Sequence, residues 1–167
     1  VSGTLGYSYA GLDLLEGGHV DPSARGVEQL GDLAPFVETY RAPSPPLGSG
    51  VAAAAAGARA MMDLSDGPAT DAARIAKASG VVIEFDRPAI EEEAWRLQVP
   101  ALICRADPVR WVLQGGEEHG MLAVFPQDAR LPEGFRVLGR ARSCESGEDP
   151  CAMFDGEVLR GAWDHFQ

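Results

Sequence analysis

The chain has 167 residues, 46% of them hydrophobic, which is enough apolar material for one domain with a real core. Its 14 basic residues face 25 acidic ones, giving a formal net charge of -11. That balance argues against nucleic acid as a partner, because binding such a polyanion relies on Lys and Arg neutralising phosphates. The three cysteines, Cys104, Cys144 and Cys151, have no CxxC spacing, so free thiols are expected, with a Cys144–Cys151 disulfide as the alternative. The alanine-rich run 51–58 is too short to span a bilayer and no signal peptide is evident, which together indicate a cytoplasmic protein without a membrane partner. The sequence opens at Val1 inside Val-Ser-Gly-Thr-Leu-Gly and reads as part of a longer gene product.

In chain order, residues 8–16 carry Ala10, Leu12, Leu14 and Leu15 before Gly17-Gly18, the pattern of a short amphipathic helix ended by glycine. A second helix is predicted over 27–40, broken or restarted at Pro35. Residues 41–50 hold Pro43, Pro45, Pro46, Gly48 and Gly50 and form a connecting loop rather than regular structure. A helix over 51–59 leads into Ala60-Met61-Met62, the end of a short buried strand. Gly67-Pro68 then starts a helix with apolar Ala69, Ala72, Ala73 and Ala76, stopped at Ser79-Gly80. The strand 81–85 follows, so that 60–85 reads as a βαβ unit whose turn is the usual ligand position in α/β proteins. Short helices are expected over 89–97, 100–105 and 107–113, the last capped by Asp107 ahead of Pro108. Strands are expected over 120–125 and 135–142, and the chain closes through 152–154, a turn at Asp155-Gly156 and 157–163. This alternation describes helices flanking a mixed sheet of roughly four to six strands. Neither GxGxxG nor GxxxxGK[ST] is present, which excludes the familiar dinucleotide and triphosphate loops.

Three stretches carry candidate chemistry. Asp63-Leu64-Ser65-Asp66-Gly67 offers hard oxygen donors without His or Cys, which suit Mg²⁺ rather than zinc or copper. The competing local reading makes Asp66 the cap of the helix at Pro68 and leaves Asp63 in solvent. Asp71, in the first helical turn, is favoured there by the helix dipole, a structural role. Gly115-Gly116-Glu117-Glu118-His119 combines close backbone approach with two acids and an imidazole; the alternative is a helix C-cap followed by a solvated turn. Trp163-Asp164-His165-Phe166 places two aromatic rings near the end of the sequence, either to plug the core edge or to stack on a flat ligand. Arg41 is a candidate phosphate contact or simply an exposed arginine.

Together these stretches resemble the C-terminal domain of the thiamine-monophosphate kinase family, within the aminoimidazole ribonucleotide synthetase-related superfamily. The resemblance runs through Gly3-Thr4-Leu5-Gly6, Ala10-Gly11-Leu12, Arg41 with Pro43, Pro45 and Pro46, and Met62-Asp63-Leu64-Ser65-Asp66-Gly67. It continues through Ala78-Ser79-Gly80-Val81, Gly115-Gly116-Glu117-Glu118-His119 and Trp163-Asp164-His165-Phe166. It implies an α/β fold, a mixed β-sheet flanked by helices in three layers, with residues 1–167 as a single C-terminal-type domain. The ATP- and metal-binding N-terminal domain, through which the family forms a homodimer, lies outside this chain.

The implied activity is transfer of the ATP γ-phosphoryl group to thiamine monophosphate, giving thiamine diphosphate, with Mg²⁺ as cofactor and ATP as co-substrate. The resemblance assigns Asp66 and Asp63 to metal and phosphate positioning, and Ser65 to a hydrogen bond near the substrate phosphate. Glu117, Trp163 and Phe166 are assigned to the thiamine rings, whereas Glu118 and His119 receive no detailed role. Two other readings stay open: another ATP-dependent enzyme of the superfamily, acting on an amide, selenide or carbamoyl group, and a non-catalytic binding domain on the same scaffold.

Overall fold

A computed structural model describes residues 1–159. Eight α-helices and six strands occur among them. The first helix, α1 (Tyr7–Glu16), buries Ala10, Gly11 and Leu14. The predicted helix over 27–40 is three pieces: α2 (Gly26–Leu30), a 3₁₀ turn (Gly31–Leu33) and α3 (Ala34–Arg41), with Pro35 in the first turn of the last, where its missing N–H costs nothing. Gly11 lets α1 and α3 touch backbone to backbone, since a Cβ there would stand 2.3 Å from the Phe36 carbonyl oxygen. The Tyr7 and Phe36 rings meet beside it, their centroids 4.8 Å apart.

After the proline loop come α4 (Ser49–Ala55), β1 (Ala60–Asp63), α5 (Pro68–Ser79) and β2 (Val81–Phe85). Helices α6 (Arg87–Trp95), α7 (Gln98–Cys104) and α8 (Pro108–Gln114) follow, then β3 (Met121–Val124), β4 (Gly139–Ser143), β5 (Ala152–Phe154) and β6 (Glu157–Val158). The cap predicted at Asp107 is present: its Oδ1 accepts from the Val109 N–H at 2.9 Å. Trp111 of α8 is 1% exposed and its indole N–H donates to Asp13 Oδ2 at 2.8 Å, which ties α8 to α1. Leu5, Leu14, Val37, Ile90, Leu97 and Val112 fill the core around it.

The fold is α/β as expected, with its six strands divided between two sheets. One is the antiparallel ribbon β1–β3, in register Ala60↔Val124 to Asp63↔Met121. The other has the order β4-β2-β5-β6, with β2 parallel to β5 and the other pairs antiparallel. The predicted βαβ unit is therefore a strand–helix–strand passage between sheets, and α5 bridges them by packing on β1, β2 and β5. The burial of the two strands accounts for this. β2 is a central strand with Val82, Ile83 and Phe85 buried, whereas β1 leaves Met61 and Asp63 exposed and buries neither Ala60 nor Met62 fully. β1 is thus not the buried strand end read from its apolar residues.

The strand expected over 135–142 starts at Gly139, and before it the Arg136 backbone N–H donates to Val1 O at 2.9 Å instead of joining the β2 ladder. Arg136 is also held through its side chain. Its guanidinium holds Glu93 of α6 through two bonds, at 2.6 and 2.7 Å, and donates to the Gly3 carbonyl at 2.8 Å. The cysteines are free thiols; Cys144 follows β4 and Cys151 precedes β5, on opposite sides of β2.

The α1–α3 contact makes Gly11 a position where one methyl group must separate two helices. Gly11→Ala should cost about 1–3 kcal/mol by overpacking, read as a fall in the urea midpoint; an unchanged midpoint would show that the two helices separate freely.

Candidate active site

Two of the three candidate stretches meet at the end of the β1–β3 ribbon. Leaving β1, the chain passes through Leu64 to Gly67 into α5; approaching β3, it passes through Gly115 to Gly120. Backbone pairing continues beyond the strands, with Leu64 N–H donating to Gly120 O at 2.8 Å, His119 N–H to Leu64 O at 3.1 Å and Glu117 N–H to Ser65 O at 3.0 Å. Gly116 makes this approach possible, for a Cβ there would lie 2.1 Å from the Ser65 carbonyl oxygen.

Along 117–119 the middle side chain is buried and its two neighbours are exposed. Glu117 and His119 stay on the exposed side with Asp63: His119 Nδ1 is 3.4 Å from Asp63 Oδ2, and its Nε2 is 3.8 Å from Glu117 Oε2. Both residues adopt left-handed backbone, φ 71° at Glu117 and 51° at His119, a conformation that costs on the order of 1 kcal/mol or more for residues other than glycine. Such strain persists where surrounding structure over-determines it, here through the Ser65 and Leu64 carbonyls.

Glu118 turns inward and is 5% exposed. Its carboxylate accepts from Ser8 N–H at 2.8 Å and Gly6 N–H at 3.2 Å, satisfying donors at the start of α1 where Gly6 offers no side-chain cap. Burial pushes its carboxyl up to about 7, against the lowering effect of those backbone N–H groups. The turn after α8 is therefore a C-cap, with Gly115 N–H donating to Trp111 O at 2.8 Å, and it is solvated at Glu117 and His119 but not at Glu118. Glu118 also lines a cavity of about 300 Å³ with Gly3, Thr4, Thr39, Ser44 and Pro46, which brings the opening motif and the proline loop to the same end of the molecule.

The Asp-rich turn has its own internal frame. Gly67, at φ 92°, is the N-cap of α5 and makes no side-chain cap bond, so Asp66 does not cap the helix as one local reading supposed. Asp71, wholly buried, accepts from both Ser65 N–H and Asp66 N–H at its Oδ2, each at 3.1 Å. Its Oδ1 accepts from Arg74 Nη1 at 2.7 Å, while Arg74 Nη2 pairs with Asp66 Oδ2. Burial raises the Asp71 carboxyl above the usual carboxylate range, and the Asp66 carboxylate holds the Arg74 guanidinium more firmly protonated. The helix-dipole role read for Asp71 thus understates it; its partners are the turn itself. The sequence signal was an acid at the fourth helical position followed by Arg three residues on, a pair that helical spacing brings together.

Asp63, Ser65, Asp66 and Glu117 therefore share one end of the fold, with Ser65 and Asp66 half-buried and Asp63 and Glu117 exposed. Trp163 and Phe166 lie outside the described residues. Arg41 is committed elsewhere, donating to Ala24 O at 2.6 Å and Pro22 O at 2.8 Å. Among the described residues no group of three or more His, Cys, Asp or Glu side chains could hold a metal ion, so Asp63 and Asp66 do not by themselves complete a cation site.

No protein-family model matches the chain. Sequence relatives are nevertheless clear. Thiamine-monophosphate kinase of Mycobacterium tuberculosis is 39% identical over 168 residues, covering 99% of this chain and 45% of that protein. The enzyme of the same name from Corynebacterium glutamicum is 41% identical over 138 residues, covering 83% and 39%. Among solved structures, thiamine monophosphate kinase from Aquifex aeolicus superposes with a TM-score of 0.73 at 26% identity, over 95% of this chain and 49% of that one. A structure of the same enzyme described as complexed with AMPPCP and TMP gives a TM-score of 0.68, over 99% and 50%. The chain spans about half the length of the relatives it matches.

The fold is that of the aminoimidazole ribonucleotide synthetase-like class, two sheets flanked by helices with the two acidic loops at one end. Within that class the chain is homologous to the thiamine-monophosphate kinases, over part of their length.

The buried Glu118 sets a pH dependence. Its folded value, about 7, stands above the ordinary glutamate value of 4.5, so between these the folded chain keeps a proton that the unfolded chain has released. The contribution to stability is full below about 4.5 and is lost as pH rises through about 7. Urea melts across this range should show the decline in the natural chain and its loss in Glu118→Gln; an equal slope in both would exclude Glu118 as its source.

Proposed function

We propose that this chain is the C-terminal, substrate-side half of a kinase that transfers the γ-phosphoryl group of ATP to thiamine monophosphate and forms thiamine diphosphate. The observation that carries this reading is the joining of the two acidic loops, 63–67 and 115–119, in a chain whose sequence relatives bear that activity in their names. On this reading the rest of the gene product supplies the ATP- and metal-binding domain and the contact that makes a homodimer. The enzyme works in the cytoplasm without nucleic acid or membrane as partner. Among the described residues no helix is long and apolar enough to cross a membrane.

Phosphoryl transfer asks little covalent chemistry of a protein, and catalysis is mostly positioning and charge neutralisation. The acceptor phosphate is already anionic, so a dedicated base is not needed. Mg²⁺, when bound, supplies positive charge at the phosphate oxygens. Asp63 and Asp66 are this chain's hard oxygen donors for it, and residues outside those described here complete the set. Ser65, its backbone held on both sides by Asp71 and Glu117, presents a hydroxyl to the substrate phosphate. Glu117, on the exposed side of the loop, and the rings of Trp163 and Phe166 bind the thiamine portion.

With ATP, Mg²⁺ and thiamine monophosphate, the complete gene product should form thiamine diphosphate, resolved by chromatography, whereas the 167-residue chain alone should not. A complete product that leaves thiamine monophosphate unchanged refutes the assignment. In the complete protein, Asp66→Asn should lower turnover on the order of 100-fold. Its stability should change by no more than about 1 kcal/mol, because the Asp66–Arg74 pair is partly exposed and screened by solvent. Unchanged turnover removes Asp66 from the site.

A further inference from the structure

We propose that Asp71 and Arg74 are positioning residues of the active site, a buried carboxylate and its arginine that fix Ser65 and Asp66 in working geometry without touching the substrate. This rests on the kinase reading above, which supplies the reaction that Asp66 serves.

The hydrogen bonds form a closed ring. Asp71 Oδ2 takes the Asp66 N–H, its Oδ1 takes Arg74 Nη1, and Arg74 Nη2 returns to the Asp66 carboxylate. Asp66 is thus gripped twice by one buried group, directly through its backbone and indirectly through its side chain. Ser65 is gripped from opposite sides, its N–H by Asp71 at 3.1 Å and its carbonyl by the Glu117 N–H at 3.0 Å.

The position of Asp71 argues that this is its purpose. A wholly buried carboxylate is costly to desolvate and is retained where its donors are good. All three side-chain bonds of Asp71 go to Ser65, to Asp66 or to the arginine that holds Asp66. A group needed only to start α5 would spend its acceptors on the helix's own first N–H groups, as Asp107 does at α8. The two arms also differ in exposure: Asp71 is immobile in the core, while the Arg74 side chain is 46% exposed and half of its guanidinium reaches out to the site. Planarity matters in this bridge, since a guanidinium can hold two carboxylates at fixed mutual orientation and an ammonium cannot.

The test is a mutant cycle in the complete gene product, with steady-state kinetics for thiamine monophosphate. Arg74→Gln and Asp71→Asn should each lower kcat about 10- to 100-fold, the usual cost of removing a supporting partner, while KM changes by less than about 3-fold since neither residue meets the substrate. Arg74→Lys, which keeps the charge but not the bridge, should recover only part of the loss. In the Asp66→Asn background both substitutions should lose most of their effect, because residues that act through one group are not additive. Should Asp71→Asn fail to fold, the Arg74 variants carry the cycle, their side chain being half-exposed. If Arg74→Gln slows the Asp66→Asn enzyme as much as the natural one, or raises KM in place of lowering kcat, the positioning role is wrong. Amide exchange at Ser65 and Asp66 separates this from failure of the kinase reading. Slow exchange in the natural protein and faster exchange in Asp71→Asn supports the ring even if thiamine diphosphate is never formed, and unchanged exchange overturns it.

Discussion

The contact on which the rest depends is the one between Gly116 and the carbonyl of Ser65, where no side chain fits. Around it the segments 64–66 and 117–120 exchange backbone hydrogen bonds that extend the β1–β3 ribbon beyond its last regular pair. Two parts of the chain some fifty residues apart are thereby held in one register, and that register decides which side chains face outward. Glu117 and His119 join Asp63 on the open side, and Glu118 is driven inward to the start of α1.

A second constraint is electrostatic. A chain of net charge -11 keeps Asp71, Glu93 and Glu118 nearly or wholly buried, each with partners suited to it. Glu93 has the guanidinium of Arg136, Asp71 has two backbone N–H groups and Arg74, and Glu118 has backbone N–H groups at the start of a helix. Glu118 lacks a side-chain cation among its hydrogen-bond partners, and burial raises its carboxyl to about 7. These buried acids are the joints of the fold: Glu93 ties α6 to the segment before β4, Asp71 ties α5 to the loop after β1, and Glu118 ties α1 to the loop before β3.

The division of labour that emerges places rigidity beneath the site and chemistry on its rim. Buried groups set the backbone of 64–67 and 116–120, while Asp63, Ser65, Asp66 and Glu117 remain accessible or half-accessible. Asp63 and Asp66, the latter already paired with Arg74, do not make a complete cation site among the described residues.

Much of this was legible in the sequence. Helix positions followed from periodicity, from Pro35, Pro68 and Pro108 at helix starts, and from Gly80, because these signals act within a few residues. The two acidic loops were legible as candidates from residue type, and as a pair through the ordered resemblance to a known family. What the sequence could not decide was which strands share a sheet. β1 and β2, close in sequence, belong to different sheets, since strand pairing is settled by long-range packing and by which faces end up buried. Nor could it exclude Asp66 as the cap of α5, or show that the Asp71 carboxylate bonds the turn before the helix. Those roles depend on where a carboxylate's lone pairs point, and only the tertiary structure brings Arg74, the turn's N–H groups and the Gly115–Gly120 loop around them.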